Sequence, residues 1–263
     1  MLSVLGWRLY CREYHPTDLY MIDFSILDQH EKIALLASGG KDSLTCVHLL
    51  REYLDRITVY HIDTGDLLPE MMASAARIEA MVPKFVRVET HVSEWIDVNG
   101  LPTDLMPFSA HPVARVMGQS GAKLVSRYDC CWANLMAPAM QRVYDDGITL
   151  LIRGTKRVDM PRLPAENFEL IADRITLWLP IVDWTHEQVF SYLALHKIPV
   201  PRVYDYVTNS PECARCSAWW GERRASYLKR HHPLLWVDYD RRLQVVVSEI
   251  AGSLADLKRE VES

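Results

Sequence analysis

The residues Ser38-Gly39-Gly40-Lys41-Asp42-Ser43 follow directly on the apolar run Ile33-Ala34-Leu35-Leu36-Ala37. A strand that feeds a glycine turn and then a helix presents the backbone N–H groups of both to an incoming anion. Two glycines let the backbone approach phosphate oxygens with no Cβ in the way. Lys41 adds a compact positive charge, and Ser38 and Ser43 add hydroxyl donors. The pattern differs from the loop that places a glycine five positions before Gly-Lys and a Ser or Thr after the lysine. Leu35 and Asp42 occupy those places. A plain strand-to-helix turn is the alternative for this segment taken alone.

Two further segments have the composition of a ligand wall. Asp63-Thr64-Gly65-Asp66 ends a second apolar stretch, and Pro69-Glu70 opens a helical pattern. An acidic side chain at such a strand exit can hold Mg²⁺ or a ribose hydroxyl; a turn relieved by Gly65 is the simpler reading. Arg153-Gly154-Thr155-Lys156-Arg157-Val158-Asp159, with Arg162 beyond, follows another apolar run. Its cations can clamp a phosphate or sulfate, or form a solvated basic turn.

The cysteines form two groups, Cys130-Cys131 and Cys213-x-x-Cys216. A C-x-x-C turn can direct two thiolates at one metal. Four thiolates suit Zn²⁺ or an iron–sulfur cluster, and the adjacent pair favours the cluster, which offers separate irons to neighbouring thiolates. Burial as small apolar residues is the alternative; it suits Cys46 and Cys11 better than the clustered four. Trp219 and Trp220, next to the C-x-x-C, can shield such a site, stack on a base, or simply pack. His231-His232 has no ligand spacing and is expected at the surface.

The elements that must position these groups are legible as an alternation. Residues 2–10 read as a short strand and 19–27 as a helix leading into the strand at 33–37. A helix follows the glycine turn; strands at 57–62, 85–88 and 148–152 alternate with helices at 69–81 and 131–144. Residues 100–112, with three prolines, read as a loop. Thr185, three residues before Gln188, caps a helix over 185–196. Residues 200–211 read as a proline-edged connection, Val245-Val246-Val247 as a strand, and the tail from Ser253 as a helix. The fold class expected is α/β, a doubly wound and mostly parallel sheet with a small C-terminal α+β appendage. The expected division is an extension over 1–30, a nucleotide-binding domain over 31–200, and a C-x-x-C segment with tail over 201–263.

Length and composition bound the function. The chain has 263 residues, 24% charged and 49% apolar, with a net charge of -5. It can bury a full core, and the acidic balance argues against bulk nucleic-acid binding. No stretch approaches the ~20 apolar residues of a membrane span, and Arg8 and Arg12 interrupt any signal-peptide core. A cytoplasmic location without membrane association is the expectation, with cysteines that serve as ligands rather than as disulfides.

Taken together, these motifs resemble the phosphoadenosine phosphosulfate (PAPS) reductase family, within the PP-loop adenine nucleotide α-hydrolase superfamily. Residues 38–43 match the family's SGGKDS loop, and Asp63-Thr64-Gly65 with Pro69-Glu70 resembles its DTG…PE motif. Gly154-Thr155-Lys156-Arg157 is similar to its G-x-R-R, with Lys156 in place of an arginine. Pro180-Ile181-Val182-Asp183-Trp184-Thr185, followed by Val189 and Tyr192, is similar to its P-I-x-D-W-T helix entry. The resemblance implies a HUP-like Rossmannoid fold, an adenine nucleotide (ATP or adenylyl sulfate) as substrate, and a [4Fe-4S] cluster on Cys130, Cys131, Cys213 and Cys216. Two departures matter. The reductases of the family use a cysteine near the C-terminus as nucleophile, whereas no cysteine follows Cys216 here. They also carry a degraded loop, whereas this one is intact, as in ATP-using relatives such as ATP sulfurylase small subunits and the pyrophosphatases of DNA phosphorothioation.

The expectation is therefore an ATP pyrophosphatase or adenylating sulfurtransferase. Lys41, Asp42 and Asp63 would be catalytic, with Mg²⁺ or ribose at Asp63. The nucleotide would contact Ser38, Gly39, Gly40, Ser43, Thr64, Gly65, Gly154, Lys156, Arg157 and Arg162. The resemblance leaves room for a sulfur donor such as a cysteine desulfurase, a thioredoxin-like reductant, nucleic acid as a modification substrate, and a homo-oligomer. The alternatives are a sulfonucleotide reductase using Cys11 or an external thiol, and a non-catalytic subunit with structural Zn²⁺ whose Arg223-Arg224 and Lys229-Arg230 contact phosphates.

Overall fold

The computed structural model describes residues 22–263 except 111, 119, 120, 161, 162, 164, 211 and 222. Six strands form one sheet: β1 (Ile33–Leu36), β2 (Ile57–Asp63), β3 (Phe85–Glu89), β6 (Leu150–Ile152), β7 (Leu170–Ile171) and β8 (Ile175–Trp178). A separate two-stranded sheet pairs β4 (Leu101–Thr103) with β5 (Leu124–Ser126). The order of the main sheet is β3-β2-β1-β6-β8-β7, and every pair is parallel except β7 with β8.

The central strands are apolar throughout because helices cover both faces. Alternation sends Ile33 and Leu35 into one core with Leu44, Val47, Trp178 and Val189, and Ala34 into the other with Tyr60, Val143 and Leu151. The helices are α1 (Lys41–Leu49), α2 (Pro69–Met81), α3 (Val92–Asn99), α4 (Pro112–Val116), α5 (Arg127–Cys131), α6 (Ala137–Asp145), α7 (His186–Leu195), α8 (Arg224–His231) and α9 (Pro233–Glu262). Pro69 sits at the first position of α2, where its missing N–H costs nothing. Met71, Ser74, Ala75 and Ile78 then bury one stripe at helical spacing.

Chain order decides where a ligand can sit. The chain runs outward from β1 through β2 to β3, then returns to β6 on the other side of β1. The loops after β1 and β6 therefore leave the sheet in opposite senses. Ligands of open α/β sheets occupy the crevice opened at such a switch point.

Several expectations need correction. The tail holds no strand among the described residues: Val245, Val246 and Val247 lie inside the 30-residue helix α9, so the C-terminal appendage is helical rather than α+β. Tyr239, Arg242 and Val246 are its buried residues, a helical spacing that packs against the body and overrides the strand preference of the valines. The expected loop over 100–112 contains β4, a short turn at Phe108–Ala110 and the start of α4. The expected helix over 131–144 is broken by a π turn at Trp132–Met136. The strand expected at 2–10 lies outside the described residues, as do Cys11 and Arg162.

Candidate active site

The glycine turn is held by its own hydroxyls. The Gly39 N–H donates to Ser43 Oγ at 3.1 Å and the Gly40 N–H to Ser38 Oγ at 3.4 Å. Ser43 Oγ donates in turn to the Gly40 carbonyl at 2.9 Å. Gly39 has φ +86°, and an added Cβ would come within 3.0 Å of the Met71 carbonyl. Helix α2 thus packs directly on the turn, and Ser74 Oγ donates to the Gly39 carbonyl at 2.7 Å. Only glycine combines that backbone angle with that approach.

The loop after β6 meets this turn. A Cβ on Gly154 would lie 3.0 Å from the Asp42 backbone. The two lysines at the crevice are almost wholly buried, and Asp42 bridges them. Lys41 Nζ donates to Asp42 Oδ2 at 2.7 Å and Lys156 Nζ to Asp42 Oδ1 at 2.6 Å. Asp159 completes the chain, accepting from Lys156 Nζ at 2.8 Å. His186, at the start of α7, stands with Nε2 3.8 Å from Asp159 Oδ1. Burial, with the charges of Lys41 and Lys156, holds its imidazole below the usual histidine range. Asp159 Oδ1 and His186 Nδ1 are buried polar atoms without a hydrogen-bond partner.

Burial also lowers the Lys41 ammonium, with Asp42 opposing that shift. Lys41 lies among the rings of Phe190 and Tyr204, and its Nζ donates to Asn209 Oδ1 at 3.1 Å. Its backbone N–H donates to the Tyr204 hydroxyl at 3.3 Å. Burial pushes the Glu212 carboxyl up to about 7, with Arg153 opposing and Asp42 reinforcing.

The second loop stands differently. Asp63 Oδ1 accepts from the Gly65 N–H at 3.0 Å, an Asx turn, while Oδ2 pairs with Arg87 at 3.1 Å. Arg157 points outward, paired with Asp183 at 3.0 Å and Glu166 at 3.2 Å. Lys156 and Arg157, neighbours in sequence, thus serve opposite sides: one bridges the loops from within and the other faces solvent.

The four cysteines converge. Cys130, Cys131, Cys213 and Cys216 line one small cavity of about 20 Å³, with Asp66, Asn134, Arg127 and Arg242 among its walls. Asp66 anchors the C-x-x-C turn to β2: its Oδ1 accepts from Arg215 Nε at 2.6 Å, and its carbonyl accepts from the Ala214 N–H. Arg224 lies buried beneath, donating to the carbonyls of Trp219, Cys213 and Ala214. It is a structural clamp, which removes it from any phosphate-contacting stripe. His232 pairs with Glu70 at 3.1 Å and His231 Nε2 bonds the Tyr206 hydroxyl at 3.1 Å, so the histidine pair belongs to a side-chain network. Burial raises the thiol of Cys130 to about 12 and that of Cys131 to about 11, and holds Cys213 well above the usual range. Among the described residues, no group of three or more His, Cys, Asp or Glu is arranged to hold a metal ion. Four thiols converging on one cavity are nonetheless the donor type that thiolate-ligated metal centres take.

A parallel sheet with a glycine-turn cradle at its switch point is the architecture of a nucleotide-loop α/β protein. The chain belongs to the PAPS reductase family: the phosphoadenosine phosphosulfate reductase domain matches residues 32–219. It is 24% identical over 184 residues to an adenosine 5'-phosphosulfate reductase of Deinococcus radiodurans, a match spanning 68% of this chain and 63% of that protein. It is 24% identical over 264 residues to sulfate adenylyltransferase subunit 2 of Streptomyces lavendulae, covering 90% of this chain and 77% of that one. The crystal structure of phosphoadenylyl-sulfate reductase from Candida auris superposes with a TM-score of 0.50 at 14% identity. It covers 79% of this chain and 94% of that chain, a likeness of fold. The match spans less than two thirds of the Deinococcus protein and about three quarters of the Streptomyces one. Among the described residues no helix is long and apolar enough to cross a membrane.

Sequence reasoning missed Tyr204, Asn209 and His186 as members of the crevice. Asp159 and Arg153 were visible as flanks of the basic motif.

Proposed function

We propose that the protein is an ATP-using enzyme of sulfur transfer, in which an acceptor attacks the α-phosphorus of ATP. The α–β bridging P–O bond breaks, its electron pair leaves with pyrophosphate, and an adenylylated acceptor remains. The loop N–H groups and Lys41 would stabilise charge on the departing pyrophosphate; one such donor is worth roughly 3–4 kcal/mol in oxyanion sites. Lys156 would fix the β6 loop against Asp42, and Arg162, with Arg157 once it leaves Asp183 and Glu166, would meet the α-phosphate or the second substrate. Asp63, engaged by Gly65 and Arg87, would have to exchange Arg87 to hold Mg²⁺ or ribose. Cys130, Cys131, Cys213 and Cys216 would hold a [4Fe-4S] cluster, which supplies sulfur carriage or electrons when bound.

The observation that carries the reading is the meeting of the two loops through the Lys41–Asp42–Lys156 bridge, with an intact glycine turn. The test is anaerobic purification with a visible spectrum and iron and sulfide counts, followed by a nucleotide panel on the same sample. Pyrophosphate from ATP in the presence of acceptor supports the reading. Sulfite from adenylyl sulfate, with no pyrophosphate from ATP, overturns it in favour of a reductase with an external thiol or Cys11. Zinc without acid-labile sulfide removes the cluster.

A further inference from the structure

Residues 199–210 cross the mouth of the glycine turn. Tyr204 lies on the short turn Arg202–Asp205. A Cβ on Gly40 would sit 2.7 Å from its hydroxyl, so the phenol is seated directly on the turn. The hydroxyl accepts the Lys41 N–H, and Asn209 accepts the Lys41 ammonium. These are the two donors that a phosphate-bearing ligand in the turn needs most. The phenol also packs edge-on to Phe190, with ring centroids 5.9 Å apart. Val203 and Val207, on either side, are buried against Leu68 and Met71, which anchors the segment beside the turn. Tyr204 itself is only partly buried. The Tyr204 hydroxyl and Asn209 Oδ1 are neutral acceptors, set beside the Asp42 carboxylate that also holds the Lys41 ammonium at 2.7 Å. An anionic phosphoryl oxygen makes charge-assisted hydrogen bonds, roughly twice as strong as neutral ones.

We propose that residues 199–210 form a strap that closes the anion cradle, and that a diphosphate-bearing ligand opens it by taking the Lys41 N–H and ammonium from Tyr204 and Asn209. The inference rests on the nucleotide reading given above and adds a gate to it. Entry then carries the cost of displacing the phenol, and the empty cradle stays shut against water and small anions.

The experiment titrates inorganic pyrophosphate into the full chain and into Tyr204→Phe by calorimetry, with hydrogen exchange followed on residues 202–206. Thermal unfolding checks that the variant folds. The phenylalanine keeps the ring and removes the competing oxygen. Pyrophosphate should bind the variant about two- to tenfold more tightly, the worth of one neutral hydrogen bond. In the wild type, amide exchange at 202–206 should rise on binding. Binding with unchanged or slower exchange there, or equal or weaker binding by the variant, overturns the strap and leaves the nucleotide reading standing. No binding by either protein overturns both.

Discussion

Replacing Asp42 by Asn tests the bridge without any ligand. The carboxylate touches two ammonium groups, Lys41 Nζ at 2.7 Å and Lys156 Nζ at 2.6 Å, and the lysine side chains are 1% and 0% exposed. Removing one partner of a fully buried pair costs about 3–5 kcal/mol, because a charge is left without compensation. Asp42 is itself 24% exposed, Asp159 keeps hold of Lys156, and Asn209 keeps hold of Lys41. Those remaining contacts reduce the expected loss to about 2–3 kcal/mol. For a domain of this size that is a fall of about 5–10 °C in thermal midpoint. The pH dependence identifies the cause. Burial already lowers the Lys41 ammonium and Asp42 opposes it, so the variant depresses it further. The unfolded chain then binds more protons than the folded one below the ordinary lysine pKa of about 10.4, and stability rises with pH in that window. The deficit of Asp42→Asn should therefore shrink between pH 7 and pH 9. A midpoint within about 1 °C of wild type, or a deficit that grows with pH, refutes the idea that Asp42 neutralises two buried cations.

Three further outcomes follow from the same geometry. Gly39→Ala meets both a positive φ and a backbone oxygen at 3.0 Å; it should lower stability by about 2–3 kcal/mol in denaturant unfolding. Glu212→Gln should flatten a pH dependence: the Glu212 carboxyl is raised to about 7 by burial, so this acid's contribution to stability falls as pH rises from about 4.5 to 7. The wild-type stability minus that of the variant should decline across that window and level off above it, as read by unfolding at pH 5, 6, 7 and 8. Arg157→Ala removes a half-exposed group paired with exposed carboxylates, so the thermal midpoint should not move, whereas nucleotide affinity should fall if the group meets the ligand.

The parts legible in the sequence are those with local physical signals. Helix α2 begins and ends as its proline and apolar spacing predict, and the Thr185–Gln188 capping box forms as read, with both reciprocal bonds present. The two cysteine pairs, about eighty residues apart, meet at one cavity. What was not legible depends on contacts without period or motif. Tyr204 and Asn209 reach Lys41 across 163 and 168 residues from a segment that reads only as proline-edged. Arg224 sits in a basic run that local charge places in water. The structure buries it because its planar fork satisfies three carbonyls at once. The valines of α9 show the same limit: a β-branched triplet is a strand signal only until packing chooses one helical face.

The turn Asp63-Thr64-Gly65-Asp66 joins the side of the sheet that carries the glycine turn to the thiol cavity. On one side it leads into α2, whose Ser74 braces the glycine turn. On the other, buried Thr64 lies 3.7 Å from Cys213 Sγ, and buried Asp66 holds Arg215, with Arg242 at 3.9 Å. A carboxylate is costly at such depth unless it is paired, so Asp66 and its arginines form a closed unit and the C-x-x-C backbone is fixed to the end of β2. The cations around the cavity are balanced by the protein's own groups: Arg127 pairs with Asp104 at 2.9 Å, Arg215 bridges Asp66 and Asp238, and Arg242 donates to the Arg215 carbonyl at 3.1 Å. The cysteine turn is therefore held in place by closed ion pairs and backbone contacts rather than by surplus charge.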